Sequence, residues 1–313
     1  VAKIASILED VMEIKRDLYL DKLIARKHNG LIKVVTGIRR CGKSYLLNTL
    51  FYNHLKAYGV SDDHIVKFAF DSADDLLMIG ENLIKLEKSK KRVDPEKFMA
   101  YIRSKVVDNQ MYYLLLDEVQ LLDCFEAVLN GYLRKENMDV YVTGSNSKGL
   151  SKDIATEFRG RATQIHVFPL CFEEFYSAVG GDERKALDTY MLYGGMPRLL
   201  AMQDDKDKKD YLSSLYTELY VKDIVERNGI EREDILNDIL NFLASQISSL
   251  TNPTNIANAI ASMKNEKVNP ALVSNYVQDI VDSFLISVAK RYNVKGKTYF
   301  NYPNKYYYTD IGL

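Results

Sequence analysis

The 313-residue sequence predicts an α/β protein: a three-layer domain on a parallel sheet, a helical lid subdomain, then three helices and a hairpin in winged-helix order. Three observations lead there. In the first half, short apolar runs alternate with stretches of helical period, as when helical crossovers join parallel strands. A glycine-bearing loop ending in Lys-Ser follows the first run, in "LIKVVTGIRRCGKSY". After about residue 171 the strand signal stops, and helical periodicity continues until two β-like runs near the end.

The N-terminal "VAKIASILEDVMEIKRDLYL" mixes acids and bases at helical spacing and lacks the apolar core of a secretion signal. Strands are expected at 31–37, 64–70, 111–118, 139–145 and 163–170. The third, "MYYLLLDE", has no polar alternation, as expected of a central strand covered on both faces. Between residues 171 and 230 the pattern is helical, broken by "GGMP". Helices are then expected at 233–248, 254–264 and 269–284, followed by the β-like runs "LISVAKRYNV" and "KTYFNY" around Lys295-Gly296. The expected domains are therefore 1–170, 171–230 and 231–313, the last truncated at "YYYTDIGL", where no closing element follows.

Composition narrows the function classes. Hydrophobic residues at 47% and charged residues at 27% describe a globular chain, and no apolar run approaches the roughly 20 residues that span a bilayer. The formal charge of −1 leaves no global attraction to nucleic acid, so any basic surface is local. One such stretch is "LIKLEKSKKRVDPEKF", residues 83–98, a solvated helix end or a DNA-contacting patch. Cys41, Cys124 and Cys171 form no CxxC pair, which argues for reduced thiols, a cytoplasmic location and no disulfide framework. His28, His54, His64 and His166 have no metal-ligand spacing.

The chemistry is carried by four segments. Gly37-Ile38-Arg39-Arg40-Cys41-Gly42-Lys43-Ser44 fits GxxxxGK[ST], a pattern whose chance occurrence in such a chain is on the order of one in a hundred. Its glycines let successive amides turn inward on phosphate oxygens, and the helix entered through Tyr45 adds its dipole. Lys43 is the candidate for the β- and γ-phosphates, and Ser44 for Mg²⁺. "YYLLLDE" then offers Asp117 as the second metal-side residue, at the end of a neighbouring strand, with Glu118 beside it to take a proton from attacking water. A phosphotransferase acting on a small molecule needs no such water activator, so the Asp-Glu pair points to hydrolysis. "VYVTGSN" ends a strand in small polar groups; Asn146 and Ser145 are candidates to position the water, with Thr143 a further one. "EFRGRATQIHVF" places Arg159 and Arg161 before the next strand, where a guanidinium could meet a phosphate of its own subunit or a neighbour's.

With these segments in this order, the chain resembles the prokaryotic AAA-type ATPases of the additional-strand P-loop class, in the group with a C-terminal domain that starts with a winged helix. "TGIRRCGKSYLL", "LLLDEVQ", "TGSNSKGL", "FRGRATQIHVFPLCFEEF", "LYGGMPRLL", "NYVQDIVDSFLI" and "KYYYTDIGL" carry the resemblance over nearly the whole chain. It implies ATP with Mg²⁺, roles for Lys43, Ser44, Asp117 and Glu118 as above, Arg161 as the functional arginine, and a further nuclease-like portion beyond residue 313. Members with this pattern often carry a tryptophan after "DEVQ"; this chain has Phe125 and no tryptophan. ATP is favoured over GTP because "NKYY" at 304 lacks the aspartate of a guanine-reading turn.

Three functions compete: an ATPase driving a conformational cycle, an ATP-switched DNA-binding regulator, and a small-molecule kinase. Partners consistent with the first two are DNA, a protein, and further copies of this chain; no membrane is implicated. The helix at 269–284 has no lysine or arginine, so base reading by it is poorly supported, whereas Lys264, Lys267, Lys290, Arg291, Lys295 and Lys297 lie nearby. Arg39 or Arg40 is expected to sense the γ-phosphate or a neighbouring subunit, or to pair with the helical subdomain. Cys41 reads as a small filler of the loop, with alkylation there expected to slow when nucleotide binds.

Overall fold

The computed structural model describes residues 14–144, 158, 160–290 and 303–313. They divide into two compact units, Val1–Tyr190 and Met191–Leu313, where the sequence suggested three segments. Residues 171–190, read as part of the lid, fall in the first unit. Among the described residues no helix is long and apolar enough to cross a membrane.

The first unit opens with α1, Asp17–Ile24, and β1, Ile32–Thr36. Helix α2 then starts at Lys43–Tyr45, passes through a π-helical stretch at Leu46–Phe51 and ends with Tyr52–Ala57. β2 is Ile65–Ala69, followed by α3 (Ala73–Met78), α4 (Leu83–Ser89) and α5 (Pro95–Lys105). β3 is Tyr112–Asp117, α6 Phe125–Leu133, β4 Met138–Gly144 and β5 Ala162–His166. All five expected strands form. They make one parallel sheet in the order β2-β3-β4-β1-β5.

Burial explains the order. Every residue of β1, β3 and β4 is buried, and these three strands are central. β2 and β5 each expose residues and take the edges. Phe68, Phe70 and Phe98 pack on one face with ring centroids 4.9–5.2 Å apart. Across the sheet Lys33 and Asp139 form a buried ion pair between β1 and β4, and the Tyr141 hydroxyl donates to the same carboxylate at 2.8 Å. Burial pulls the Lys33 amine below its ordinary value, and Asp139 opposes it. One expectation needs correction. The acid strand does not pair with β1, because β4 lies between them. Two strand spacings, about 10 Å, therefore separate β3 from β1.

Helices α7 (Phe172–Val179) and α8 (Glu183–Tyr193) lead to the second unit. There α9 runs from Asp205–Ser214 through Leu215–Val221 to Lys222–Asn228 and stops at Gly229, whose φ of 61° ends the helix. Next come α10 (Glu233–Ser245), α11 (Pro253–Lys264) and α12 (Pro270–Asp282). Asn252 and Asn269 accept amide hydrogens at the starts of α11 and α12, with proline in the first turn of each. β6, Ile286–Ala289, pairs antiparallel with β7, Lys305–Tyr308. The strand paired with β6 is "KYYY"; the expected run "KTYFNY" and the expected hairpin tip fall within 291–302, outside the described residues. The tyrosine-rich end packs as strand: Tyr306 is buried, and the Tyr308 hydroxyl donates to the Leu240 carbonyl at 2.9 Å.

Candidate nucleotide-binding site

All five strands point the same way, so the residues that follow them collect at one edge of the sheet, where α/β folds bind ligands. The loop after β1 turns through Gly37 (φ 145°), Arg40 (φ 67°) and Gly42 (φ 99°) into the first turn of α2. Gly37 also lies under the chain leaving β5. A Cβ there would come within 2.1 Å of the Val167 carbonyl oxygen. Ile38 and Cys41 are buried, Arg39, Gly42 and Tyr45 half-buried, and Arg40 exposed. Lys43 is only 4% exposed, and its amine donates to the Gly37 and Ile38 carbonyls, each at 3.0 Å.

Across the groove, Asp117 ends β3 at 6% exposure. The Ser44 and Thr143 side chains both hydrogen-bond to it. Burial pushes the Asp117 carboxyl up, and those two hydrogen bonds and the Lys43 charge oppose the shift. Glu118 is half-buried with a left-handed backbone, φ 53°, a conformation a non-glycine residue adopts when its surroundings require it. Its amide donates to the Thr143 hydroxyl at 3.0 Å, and the Gln120 side-chain amide donates to its carboxylate. Thr143 is completely buried on β4 and is therefore bonded to both acidic positions at once. Ser145, Asn146 and Arg159 lie outside the described residues.

Among the described candidates, Arg161 is the one that the fold keeps away. It is exposed, and its carbonyl accepts the amide of Ile32, the first residue of β1. The phosphate loop follows the last residue of β1, about 16 Å farther along at roughly 3.3 Å per residue. Action of Arg161 on its own chain's site is therefore excluded by strand direction.

Three further groups went unnoticed in the sequence. Arg16 is 2% exposed and donates to the Cys41 carbonyl at 3.0 Å, to the Phe168 carbonyl at 2.6 Å and to Glu174 at 2.9 Å, tying the loop backbone to the start of α7. His166 ends β5 with Nδ1 3.2 Å from the Thr36 hydroxyl. Burial first, and then the Lys43 charge, lowers its pKa to about 4, so it is neutral at physiological pH. Asp71, just past β2, has its carboxyl raised by its surroundings and then by the charges of Asp117 and Glu118, with Arg39 opposing. No motif marks these three; only the fold brings them together.

Cys41 overturns the expectation of nucleotide-dependent alkylation. It has no exposed surface, it contacts the Val167 carbonyl at 3.4 Å, and burial pushes its thiol up. In a thiol titration of the folded protein, Cys124 and Cys171, both exposed, should react at once. Cys41 should react only after denaturation, with or without ATP. Modification of Cys41 in the native protein, mapped by mass spectrometry, would contradict this burial.

Comparison with known proteins supports the same assignment. The family model described as an AAA domain matches residues 29–176, and one described as a domain of unknown function matches residues 184–313. An uncharacterised protein of Haemophilus influenzae is 32% identical over 306 residues, 96% of this chain and 72% of that protein. An uncharacterised protein of Methanocaldococcus jannaschii is 29% identical over 305 residues, and this chain spans 61% of its length. Among solved structures, a Walker-type ATPase of Pyrococcus abyssi superimposes with a TM-score of 0.60 at 17% identity, covering 96% of this chain and 94% of that one. The phosphate loop, the inserted strand β4 between it and the acid pair, and these matches together make the chain a member of the AAA-domain P-loop ATPase family, with a C-terminal domain of unknown function.

Proposed function

We propose that this chain binds ATP with Mg²⁺ and hydrolyses it slowly, Glu118 being the base that activates water, and that the cycle changes the conformation of the protein for work on DNA or a protein partner. One observation carries the reading: the bonds of Asp117 to Ser44 and Thr143, with Thr143 also accepting the Glu118 amide. They join the phosphate loop, β4 and the acid pair in one network. The residues fit the nucleotide. The Lys43 amine already lies inside the loop on two carbonyls, which phosphate oxygens can replace. Ser44 and Asp117 would hold the metal, the other ligands being phosphate and water, as is usual for Mg²⁺. When bound, Mg²⁺ supplies positive charge to the β- and γ-phosphates. Ionised Asp117 is favoured there despite its burial, because Lys43 and the cation both oppose protonation. Glu118 takes the proton of the attacking water. Arg161 acts, on this reading, on the site of a neighbouring copy, so turnover requires a homo-oligomer.

A second reading, an ATP-dependent switch with little turnover, is favoured by the Gln120 amide on the Glu118 carboxylate, which holds the base in place before water can use it. Phosphate release measured without any acceptor tests the proposal. Release that stops with EDTA or with Lys43→Ala is expected. No release beyond a single turnover would leave the switch, and none without an added hydroxyl acceptor would point to a kinase.

A further inference from the structure

The segment from 85 to 92 is the strongest local charge in the first unit. Lys85, Lys88, Lys90, Lys91 and Arg92 face a single acid, Glu87, and all five cations are exposed. None of the ion pairs found among the described residues uses them. Helix α4 ends at Lys90 in a left-handed conformation, φ 52°, and the chain then runs on through Lys91 and Arg92 to Val93. Beside it opens a cavity of about 320 Å³, walled by Phe70, Leu83, Leu86, Val93 and Leu121 and lined also by Lys90, Lys91 and Arg92 against the two carboxylates of Asp71 and Glu87. That volume is in the range of small-ligand pockets, about 300–1,000 Å³. A row of cations that outnumbers the acids beside it, along a largely apolar recess, suits a ligand with a charge on every unit and a flat apolar group beside it.

We propose that this surface binds single-stranded nucleic acid, with phosphates on Lys88, Lys90, Lys91 and Arg92 and one base against the half-buried Leu83 and Leu86. A single strand fits better than a duplex, because only an unstacked base can turn its face into a recess. It also fits better than an acidic protein segment, which would need an acid at each successive position to meet three consecutive cations. The site is joined to the catalytic turn. The Val93 amide donates to the Leu121 carbonyl at 2.8 Å, and the Asp123 amide donates to the Val93 carbonyl at 3.0 Å. The Leu121 amide in turn donates to the Glu118 carbonyl at 3.0 Å, and Asp71, which shares the Asp117–Glu118 field, lines the cavity. A bound strand therefore bears on the base. This coupling rests on the hydrolysis proposed above; the binding does not.

The test uses the whole chain and fluorescence anisotropy with labelled oligothymidylate, an abasic strand of equal length and a duplex. Oligothymidylate should bind most tightly, with log K falling against log salt at a slope of about −3, as four phosphates on a single strand require. Charge reversal at Lys88, Lys90, Lys91 and Arg92 together should weaken it at least about tenfold while ATP binding stays intact. Oligothymidylate should also change the ATP turnover of the wild type and not of that variant. Absence of binding, equal binding by the variant, or equal binding of the abasic strand or duplex overturns the site. Binding without any change in turnover overturns the coupling. Absence of turnover before nucleic acid is added overturns the hydrolase reading and leaves the anisotropy result standing.

Discussion

Glu118→Gln should lower steady-state phosphate release by about 10²–10⁴-fold, the usual contribution of a positioned general base, while ATP affinity changes by less than about threefold, under 1 kcal/mol. The substitution is close to isosteric. The backbone bond to Thr143 is untouched, and a glutamine oxygen can still accept from the Gln120 amide. What disappears is only the capacity to take a proton. Lys43 and the loop amides, which would hold the triphosphate, are separate from it. The measurement pairs phosphate release with equilibrium binding of a fluorescent ATP analogue. Unchanged turnover removes Glu118 as the base. Lost binding instead makes it a binding group, and the left-handed backbone at φ 53° would then need another explanation.

Thr143 shows why the end of a strand can be marked from sequence while the residue it sets beside the acid pair is not singled out. "VYVTGSN" marks the end of β4 by its small polar groups, among which Asn146 and Ser145 come ahead of Thr143 on chemical grounds. Only the register of β4 beside β3, where Val142 pairs with Leu116, brings the Thr143 hydroxyl level with both Asp117 and Glu118. The five strands were legible because each is a short β-rich run set between helical patterns, and β3, "YYLLLD", has no polar alternation at all. The phosphate loop was legible because its conformation needs glycine at fixed places. β7 was not. "KYYY" is short and follows a proline-bearing stretch, and its pairing with Ile286–Ala289 is what marks it as a strand. The own-subunit reading of Arg161 fails for a different reason. In a parallel sheet the residue before a strand and the residue after it lie at opposite edges, so proximity in sequence to "IHVF" did not mean proximity to the phosphate loop.

In the second unit, Gly194→Ala should be among the most destabilising single changes. Gly194 has φ +77°, and a Cβ there would fall 1.8 Å from Oδ1 of Asp310 and 2.7 Å from the Gly312 amide nitrogen. Asp310, 4% exposed, accepts the Gly195 amide at 2.7 Å and the Gly312 amide at 2.8 Å. "LYGGMP" and "YYYTDIGL" are thus the two halves of one clamp, closed over 115 residues of sequence. Its closeness is reciprocal, since a Cβ on Gly312 would meet the Tyr193 carbonyl oxygen at 2.0 Å. Burial raises the Asp310 carboxyl and the two amides oppose it, so displacing it exchanges two good hydrogen bonds for a buried group without partners. Left-handed strain contributes about 1–2 kcal/mol, and each buried group left without its hydrogen-bond partner adds about 1–3 kcal/mol. Gly229→Ala separates the two effects. Its φ is +61°, and a Cβ there meets nothing within 4 Å, so only the strain should appear. Urea unfolding of the two variants should therefore differ by several kcal/mol. Where Gly194→Ala folds too poorly for that measurement, hydrogen exchange at the Gly195 and Gly312 amides should show protection lost in Gly194→Ala and kept in Gly229→Ala. Equal stability and equal protection in the two variants would mean that the carboxylate yields freely and that these two stretches are not clamped by it.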